Sequence, residues 1–201
     1  MISKLFAVAL IAVIVGNIEG KTYNCADGFP SNVSNTTPSS CCAKAHSFDL
    51  DVFKSCFNKY GNNPQRAGKG LAGPMNAAEC VFECVLNSTK AIQNGLPNAP
   101  NLIKSCTASL AGNQDWIPVV TAGINYCIKQ TTDNANKLQQ SLKNDKIDGT
   151  KICSPSSAFM IGCMFTYEFR NCPAKYWNQQ KNPACNELKD YFTSCPTPTI
   201  N

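Results

Sequence analysis

Cysteine is the residue type whose number and spacing point most directly to chemistry in this chain. The 201 residues contain 13 cysteines and a single histidine. Thiols in such numbers either bind zinc or pair as disulfides. Zinc sites are typically built from paired Cys-x-x-Cys elements or from several histidines, and the sequence has neither. We therefore predict a disulfide framework without a metal site and, because 13 is odd, one cysteine outside that framework.

Catalytic chemistry has little support in the sequence. The best enzymatic alternative is a secreted phospholipase, because His46 follows the doublet Cys41-Cys42 and precedes Asp49 and Asp51. That chemistry requires a Cys-Cys-x-x-His-Asp motif and a glycine-rich calcium loop, and neither is present. GxSxG, HExxH and phosphate-loop motifs are also absent from the sequence. We predict that the protein is not an enzyme, that it needs no cofactor, and that His46 is an exposed linker residue.

The first 20 residues have the composition of a secretory signal peptide. Lys4 supplies a positive charge, residues 5–15 are apolar without interruption, and Gly20 ends a short polar stretch. The apolar run is too short for a membrane-spanning helix of about 20 residues. We predict cleavage after Gly20, with Gly16 as second choice, and a secreted, extracellular product with one domain over residues 21–201 and no membrane anchor. All 13 cysteines follow the predicted cleavage site, which agrees with an oxidising compartment.

The charge distribution argues against a nucleic-acid partner. The net charge of +5 survives removal of the signal peptide, because Lys4 and Glu19 cancel. The lysines are scattered and no basic cluster is interleaved with aromatic residues. We interpret them as the solvated faces of helices.

Apolar residues at helical spacing define the elements that must position the cysteines. Residues 21–40 are polar and without period, and we predict an irregular arm there that disulfides hold down. The predicted helices run from Phe48 to Gly61, from Pro74 to about residue 93, over 99–110, from a cap at Asp115 to Ile128, from Asp133 to Asn144, from Ser154-Pro155 to Phe169 as the central helix, and from Pro183 onward. No segment has the alternating pattern of a β-strand. The sequence therefore predicts an all-α, compact, disulfide-linked helical bundle.

The cysteine spacing is the most specific signal in the chain. Cys80 and Cys84 lie one helical turn apart on one face, so each can bond to a different neighbour but not to the other. Cys163 follows Cys153 after nine residues, and Cys172-Pro173 follows after eight more. These segments resemble the insect odorant-binding proteins and, within them, the Plus-C subgroup, which has extra cysteines and a proline after the sixth core cysteine. The resemblance extends over nearly the whole of residues 21–201.

The resemblance implies a pattern of disulfides. In the family the first core cysteine pairs with the third, the second with the fifth and the fourth with the sixth, which here implies Cys56–Cys84, Cys80–Cys163 and Cys153–Cys172. The subgroup's extra cysteines would fasten the N-terminal arm and the C-terminal helix, with a pairing that spacing does not reveal: Cys25, Cys41, Cys42, Cys127, Cys185 and Cys195. Cys106 remains as the odd cysteine, either as a buried thiol or in an intermolecular bridge.

The resemblance also implies a function. It implies a carrier that binds odorants, semiochemicals or other small hydrophobic ligands and transports them through extracellular fluid, with odorant receptors as possible partners, as a monomer or homodimer. A pH response of the kind attributed to the family would have His46 as its trigger. The alternative is a cysteine-rich secreted interaction protein, such as a salivary or haemolymph factor, for which the fold is only a scaffold.

A ligand cavity is physically possible because disulfides supply stability that a fully packed core would otherwise supply. Cavities of this kind are lined by apolar and aromatic side chains, and methionines give an adaptable wall. Helical spacing alone also fits a packed core, so a ligand role for any one side chain follows from the resemblance. The candidate ligand-binding residues are Phe57, Leu86, Trp116, Val120, Phe159, Met160, Met164, Phe165 and Phe169.

Overall fold

The computed structural model describes residues 22–25, 33, 36–43, 47–61, 72–93, 96–110, 112–144, 153–178 and 182–198. The predicted signal peptide and His46 lie outside these ranges. None of the described helices is long and apolar enough to cross a lipid bilayer.

Eight α-helices form in the described part of the chain, as the all-α prediction requires. They are α1 (Pro38–Cys41), α2 (Leu50–Tyr60), α3 (Ala72–Ser88), α4 (Ala99–Ser109), α5 (Trp116–Asp133), α6 (Ala135–Asn144), α7 (Pro155–Arg170) and α8 (Ala184–Ser194). A 3-10 turn, Ala174–Tyr176, precedes α8. Two features were not predicted: α1 lies inside the supposedly irregular arm, and the two-residue strands β1 (Ile92–Gln93) and β2 (Leu96–Pro97) pair antiparallel.

Local capping chemistry fixes the start of α4. The Asn98 side chain accepts a hydrogen bond from the backbone N–H of Asn101 at 3.0 Å, which caps α4. The prediction that the Asp115 side chain caps α5 is wrong, because that side chain makes no capping hydrogen bond. The backbone of Asp115 is helical (φ −64°, ψ −24°), whereas a capping residue is normally extended. The Asp115 carboxylate instead accepts from Lys175 Nζ at 3.2 Å, which ties the 3-10 turn to the start of α5.

The core is built around α7, as the sequence predicted. This helix packs against α3, α5, α6 and α8, while α2 packs on α3 and α4 on α5. It is apolar around most of its circumference, so it can face several neighbours at once. Its buried apolar side chains are Phe159, Met160, Ile161, Cys163, Met164 and Phe169.

Six disulfides cross-link the described residues, and they correct the predicted pairing. They join Cys25–Cys195, Cys41–Cys185, Cys42–Cys172, Cys56–Cys84, Cys80–Cys153 and Cys127–Cys163. The predicted Cys56–Cys84 bond is confirmed. The predicted Cys80–Cys163 and Cys153–Cys172 bonds are wrong.

The position of the α7 start explains the first error. The backbone N–H of Ser154 donates to the Glu83 carboxylate at 2.6 Å, which places the residue before α7 beside α3. Cys153 and Cys80 are then 5.0 Å apart between Cα atoms. Ten residues of chain, mostly helical, lead from Cys153 to Cys163, a rise of about 15 Å, so Cys163 lies beyond the reach of Cys80 and meets α5 instead.

The interlocked order itself is preserved. Among the cysteines at 56, 80, 84, 127, 153 and 163, the first bonds the third, the second the fifth and the fourth the sixth. Cys127 on α5 therefore occupies the fourth place, which the sequence interpretation had given to Cys153. Cys172, which the sequence interpretation had placed sixth in the core set, does not belong to that set and bonds Cys42.

The other three disulfides fasten the N-terminal arm to the C-terminal part of the chain, as expected for five of the six extra cysteines. The expectation was wrong for Cys127, whose place in this set is taken by Cys172. Cys25 bonds Cys195, and the doublet Cys41-Cys42 bonds Cys185 and Cys172. Backbone hydrogen bonds reinforce this attachment, since the N–H of Ala43 donates to the carbonyl of Tyr176 at 3.0 Å. The predicted odd cysteine, Cys106, is fully buried and lies outside all six disulfides.

Candidate ligand-binding cavity

A cavity of about 560 Å³ lies between α7, the helix pair α2–α3, the start of α5 and the segment that precedes α2. Its volume falls within the range of small-molecule sites, about 300–1,000 Å³. The largest contribution comes from α7, which supplies Ile161, Gly162, Met164, Phe165, Glu168 and Phe169. Because the central helix forms both the core and this wall, the bundle itself positions the cavity.

The cavity is apolar over most of its lining. Phe53 of α2, Phe82 and Val85 of α3, and Trp116 of α5 face the α7 wall. An apolar ligand would therefore be removed from water on several sides, which is the main source of affinity for such molecules.

The cavity reaches the molecular surface near the start of α2. Leu50 and Phe165 both line it, yet they are 44% and 37% exposed. Exposed large apolar side chains at the edge of an apolar cavity are typical of an entrance for ligands. These two side chains mark the accessible side of the cavity.

Four of the nine predicted ligand-binding residues lie together in this cavity, and five do not. Trp116, Met164, Phe165 and Phe169 line it. Leu86, Val120, Phe159 and Met160 are buried in the packed interior, and Phe57 is 44% exposed on α2, with its ring 6.3 Å from that of Phe53. Ligand contact at any of the nine remains a prediction.

The segment before α2 contributes a wall that the sequence did not predict. Its lining residues are Pro38, Ser39, Cys42, Ser47 and Phe48. The Cys42–Cys172 and Cys41–Cys185 disulfides hold this segment against the end of α7 and against α8. The cysteine doublet was the one available signal, because two adjacent bonds to distant elements require the chain to pass over the bundle at that point.

Trp116 forms a fully buried part of the lining. Its ring lies 5.8 Å from that of Tyr176, in the 3-10 turn that Lys175 and Asp115 hold in place. The Asp115 carboxylate also raises the pKa of Lys175, through their hydrogen bond and their opposite charges. No described residue accepts a hydrogen bond from the indole Nε1–H of Trp116.

Glu168 is the one charged side chain among the described lining residues, and it is 0% exposed. The Ser47 hydroxyl donates a hydrogen bond to its Oε2 atom at 3.5 Å. Ser47 is itself buried, so this pair places a polar spot in an otherwise apolar wall. The described residues contain no group of three side chains that could hold a metal ion.

Comparison with known proteins identifies the fold family. Residues 46–191 match the family model described as AgamOBP47-like. The chain is 29% identical to odorant-binding protein 47 of Anopheles gambiae over 158 residues, which cover 78% of this chain and 68% of the relative. It is 20% identical to general odorant-binding protein 67 of the same organism, over 92% of this chain and 84% of the relative. Since the family match spans more than half of the chain, this protein belongs to the AgamOBP47-like family of insect odorant-binding proteins.

Proposed function

We propose that this protein is a secreted carrier that binds small hydrophobic ligands, such as odorants or semiochemicals, in the α7 cavity and transports them through extracellular fluid. The single observation that carries the proposal is an apolar cavity of about 560 Å³ that opens to the surface beside Leu50 and Phe165. The proposal assigns no catalytic activity to the chain and places the mature protein at residues 21–201.

Stability and function are connected in this proposal. A cavity removes packing contacts from the core, which weakens a fold held by packing alone. Six disulfides restrict the unfolded chain instead, at about 2–4 kcal/mol for a typical bond. The cross-linked bundle can therefore retain an empty space between α7 and its neighbours.

The first test is a titration of residues 21–201 with N-phenylnaphthylamine, an apolar dye that fluoresces when it leaves water. We expect saturable binding of one dye per chain and displacement by small apolar molecules. Absence of saturable binding to the monomer would remove the carrier function and leave an interaction protein as the better interpretation.

Two phenylalanines provide a matched pair of variants for locating the dye. Phe165 and Phe57 have similar exposure, 37% and 44%, but only Phe165 lines the cavity. Loss of one buried aromatic contact is worth about 1.5–3 kcal/mol, so Phe165→Ala should weaken dye binding by about tenfold or more. Phe57→Ala should leave the dissociation constant unchanged, and equal losses in both variants would place the ligand elsewhere.

Trp116 offers a second readout that needs no dye. The chain has two tryptophans, so Trp177→Phe leaves Trp116 as the sole indole emitter. Because Trp116 is buried in the cavity lining, we expect blue-shifted emission that changes in intensity as a ligand saturates the site. Emission that stays constant while the dye is bound would argue against a ligand beside Trp116.

A further inference from the structure

Asparagine followed two residues later by serine or threonine is the acceptor motif for N-linked glycosylation, provided that the middle residue is not proline. The sequence contains three such tripeptides, which begin at Asn32, Asn35 and Asn87. Asn32 and Asn35 lie outside the described residues. The tripeptide Asn87-Ser88-Thr89 lies within them, at the C-terminal end of α3, so its surroundings in the fold are defined.

The fold leaves the Asn87 side chain in solvent. Asn87 is exposed, and its side-chain amide makes no hydrogen bond to another described residue. The helix ends directly after it, where the Thr89 hydroxyl donates to the backbone carbonyls of Val85 and Leu86 at 3.1 Å each. Lys90 then takes a positive φ of 54°, which turns the chain out of the helix. A bulky group on the Asn87 Nδ2 atom would therefore displace no contact of the described fold.

Asn87 also projects away from the cavity. Phe82 and Val85 are the residues of α3 that line it. Successive residues of an α-helix are rotated by about 100°, which places Asn87 about 200° around the helix axis from Val85 and about 140° from Phe82. The acceptor side chain thus lies on the side of α3 opposite to the one that a ligand would contact.

We propose that Asn87 carries an N-linked glycan, attached on the side of α3 that faces away from the cavity. The inference rests on the secretion included in the proposed function, because the glycan is added as the chain enters the secretory compartment, and it does not depend on ligand binding. The donor is an oligosaccharide joined to a membrane lipid through pyrophosphate. The Asn87 Nδ2 atom bonds to C1 of the first sugar, N-acetylglucosamine, while the C1–O bond to the pyrophosphate breaks. The lipid pyrophosphate is the leaving group, and Nδ2 loses a proton.

Peptide mass spectrometry of the protein secreted from insect cells tests the inference. The chain carries its own signal peptide and the substitutions Asn32→Gln and Asn35→Gln, which leave Asn87-Ser88-Thr89 as the one Asn-x-Ser/Thr motif. Peptide N-glycosidase A releases the glycan from digested protein, converts the asparagine to aspartate and, in heavy-oxygen water, labels the new carboxylate. We expect the label at residue 87. Asn58 is an exposed asparagine of α2 outside any such motif, and it should remain unlabelled.

The third position of the motif provides a matched pair of variants. Thr89→Ser keeps the hydroxyl that the motif requires and should keep the label, whereas Thr89→Ala lacks it and should lose the label. Because the Thr89 hydroxyl also bonds the end of α3, Thr89→Ala can fail to fold. Asn87→Gln changes only the exposed side chain, and in that variant the electrophoretic shift on glycosidase treatment should be lost.

Several outcomes would overturn the inference. A secreted protein without the label at residue 87 would do so and leave the carrier function intact. Equal labelling of Asn58 would also do so, since spontaneous deamidation would then explain the change at Asn87. A chain that stays inside the cells without a glycan would contradict secretion as well as the inference.

Dye binding tests the position of the glycan relative to the cavity. Enzymatic removal of the glycan from the folded protein should leave the affinity for N-phenylnaphthylamine unchanged, because Asn87 projects from the opposite side of α3. A changed affinity would contradict that placement. Failure of the dye to bind with and without the glycan would contradict the carrier function, while the label at residue 87 would still support the glycan.

Discussion

Tyr191 shows how a single side chain couples burial to pH in this molecule. It is a buried residue of α8, with its ring 5.6 Å from that of Tyr23 in the N-terminal arm and 5.6 Å from that of Phe192. Burial disfavours the charged phenolate and raises the pKa of Tyr191 above the ordinary value of 10.0. The folded protein therefore retains a proton that the unfolded chain loses in alkali.

The sign of this effect gives a prediction for alkaline pH. With the pKa raised on folding, the stability contribution of Tyr191 is complete below pH 10.0 and is lost as the pH rises above it. The raised pKa of Lys175 acts in the same direction. We expect the melting temperature to fall between about pH 9 and about pH 11, and to fall less in Tyr191→Phe. Circular dichroism would measure the melting temperatures of the wild type and of Tyr191→Phe across this pH range. As a control, the melting temperature should recover when the sample is returned to neutral pH, which excludes disulfide exchange. If the melting temperatures of the two proteins fell equally with pH, the assignment to Tyr191 would be contradicted.

Helical period alone did not separate cavity residues from core residues on the central helix. Met164, Phe165 and Phe169 line the α7 wall, whereas Phe159 and Met160, predicted on the same grounds, lie in the packed interior. Ser47 and Glu168 were not predicted, since a polar residue is normally assigned to the solvent face. Their burial depends on which element crosses over α7, and helical periodicity does not contain that information.

At the level of elements, the helices were predicted well and their contacts less well. Each predicted helix from Phe48 onward is present, because apolar periodicity and proline positions act locally. The packing of the C-terminal segment on α7 was not predicted. Pro198 lies so close to Gly162 that a Cβ atom on the glycine would be 2.8 Å from the proline Cγ.

This close approach predicts an interaction between two substitutions. Within a helix, Gly→Ala normally stabilises by about 0.5–1 kcal/mol, but overpacking costs about 1–3 kcal/mol. Gly162→Ala should therefore lower the free energy of unfolding in the wild-type chain. Pro198→Ala removes the clashing Cγ atom, so Gly162→Ala should be neutral or stabilising in that background. Guanidinium denaturation of the four proteins would measure the coupling, and additive effects would show that Pro198 does not pack on Gly162.

At the level of the whole molecule, the disulfides decide which parts of the chain form the cavity. The interlocked order of the core bonds could be predicted from the family resemblance. The assignment of the fourth place to Cys127 could not, because spacing shows which cysteines share a helix face and not which helices adjoin. The same limitation concealed the role of Cys42, whose bond to Cys172 brings the segment before α2 into the cavity wall.

Two disulfides that close loops of similar length allow the effect of the cavity wall before α2 on ligand binding to be separated from the effect of overall stability. Cys42–Cys172 and Cys25–Cys195 have sequence separations of 130 and 170, so loop entropy predicts similar losses when either is removed, about 2–5 kcal/mol. Only Cys42 lines the cavity. We expect the Cys42→Ala/Cys172→Ala variant to lose about tenfold or more in dye affinity, because the wall before α2 is released from the end of α7.

The Cys25→Ala/Cys195→Ala variant is the control for that prediction. It should lose a comparable amount of stability in denaturant while it binds the dye as tightly as the wild type, since Cys25 and Cys195 lie outside the cavity lining. The dye titrations should be carried out at a temperature at which both variants are folded, as judged by near-ultraviolet circular dichroism. Equal losses of affinity would mean that the disulfides act on the cavity only through overall stability, and a local role for Cys42–Cys172 would then be wrong.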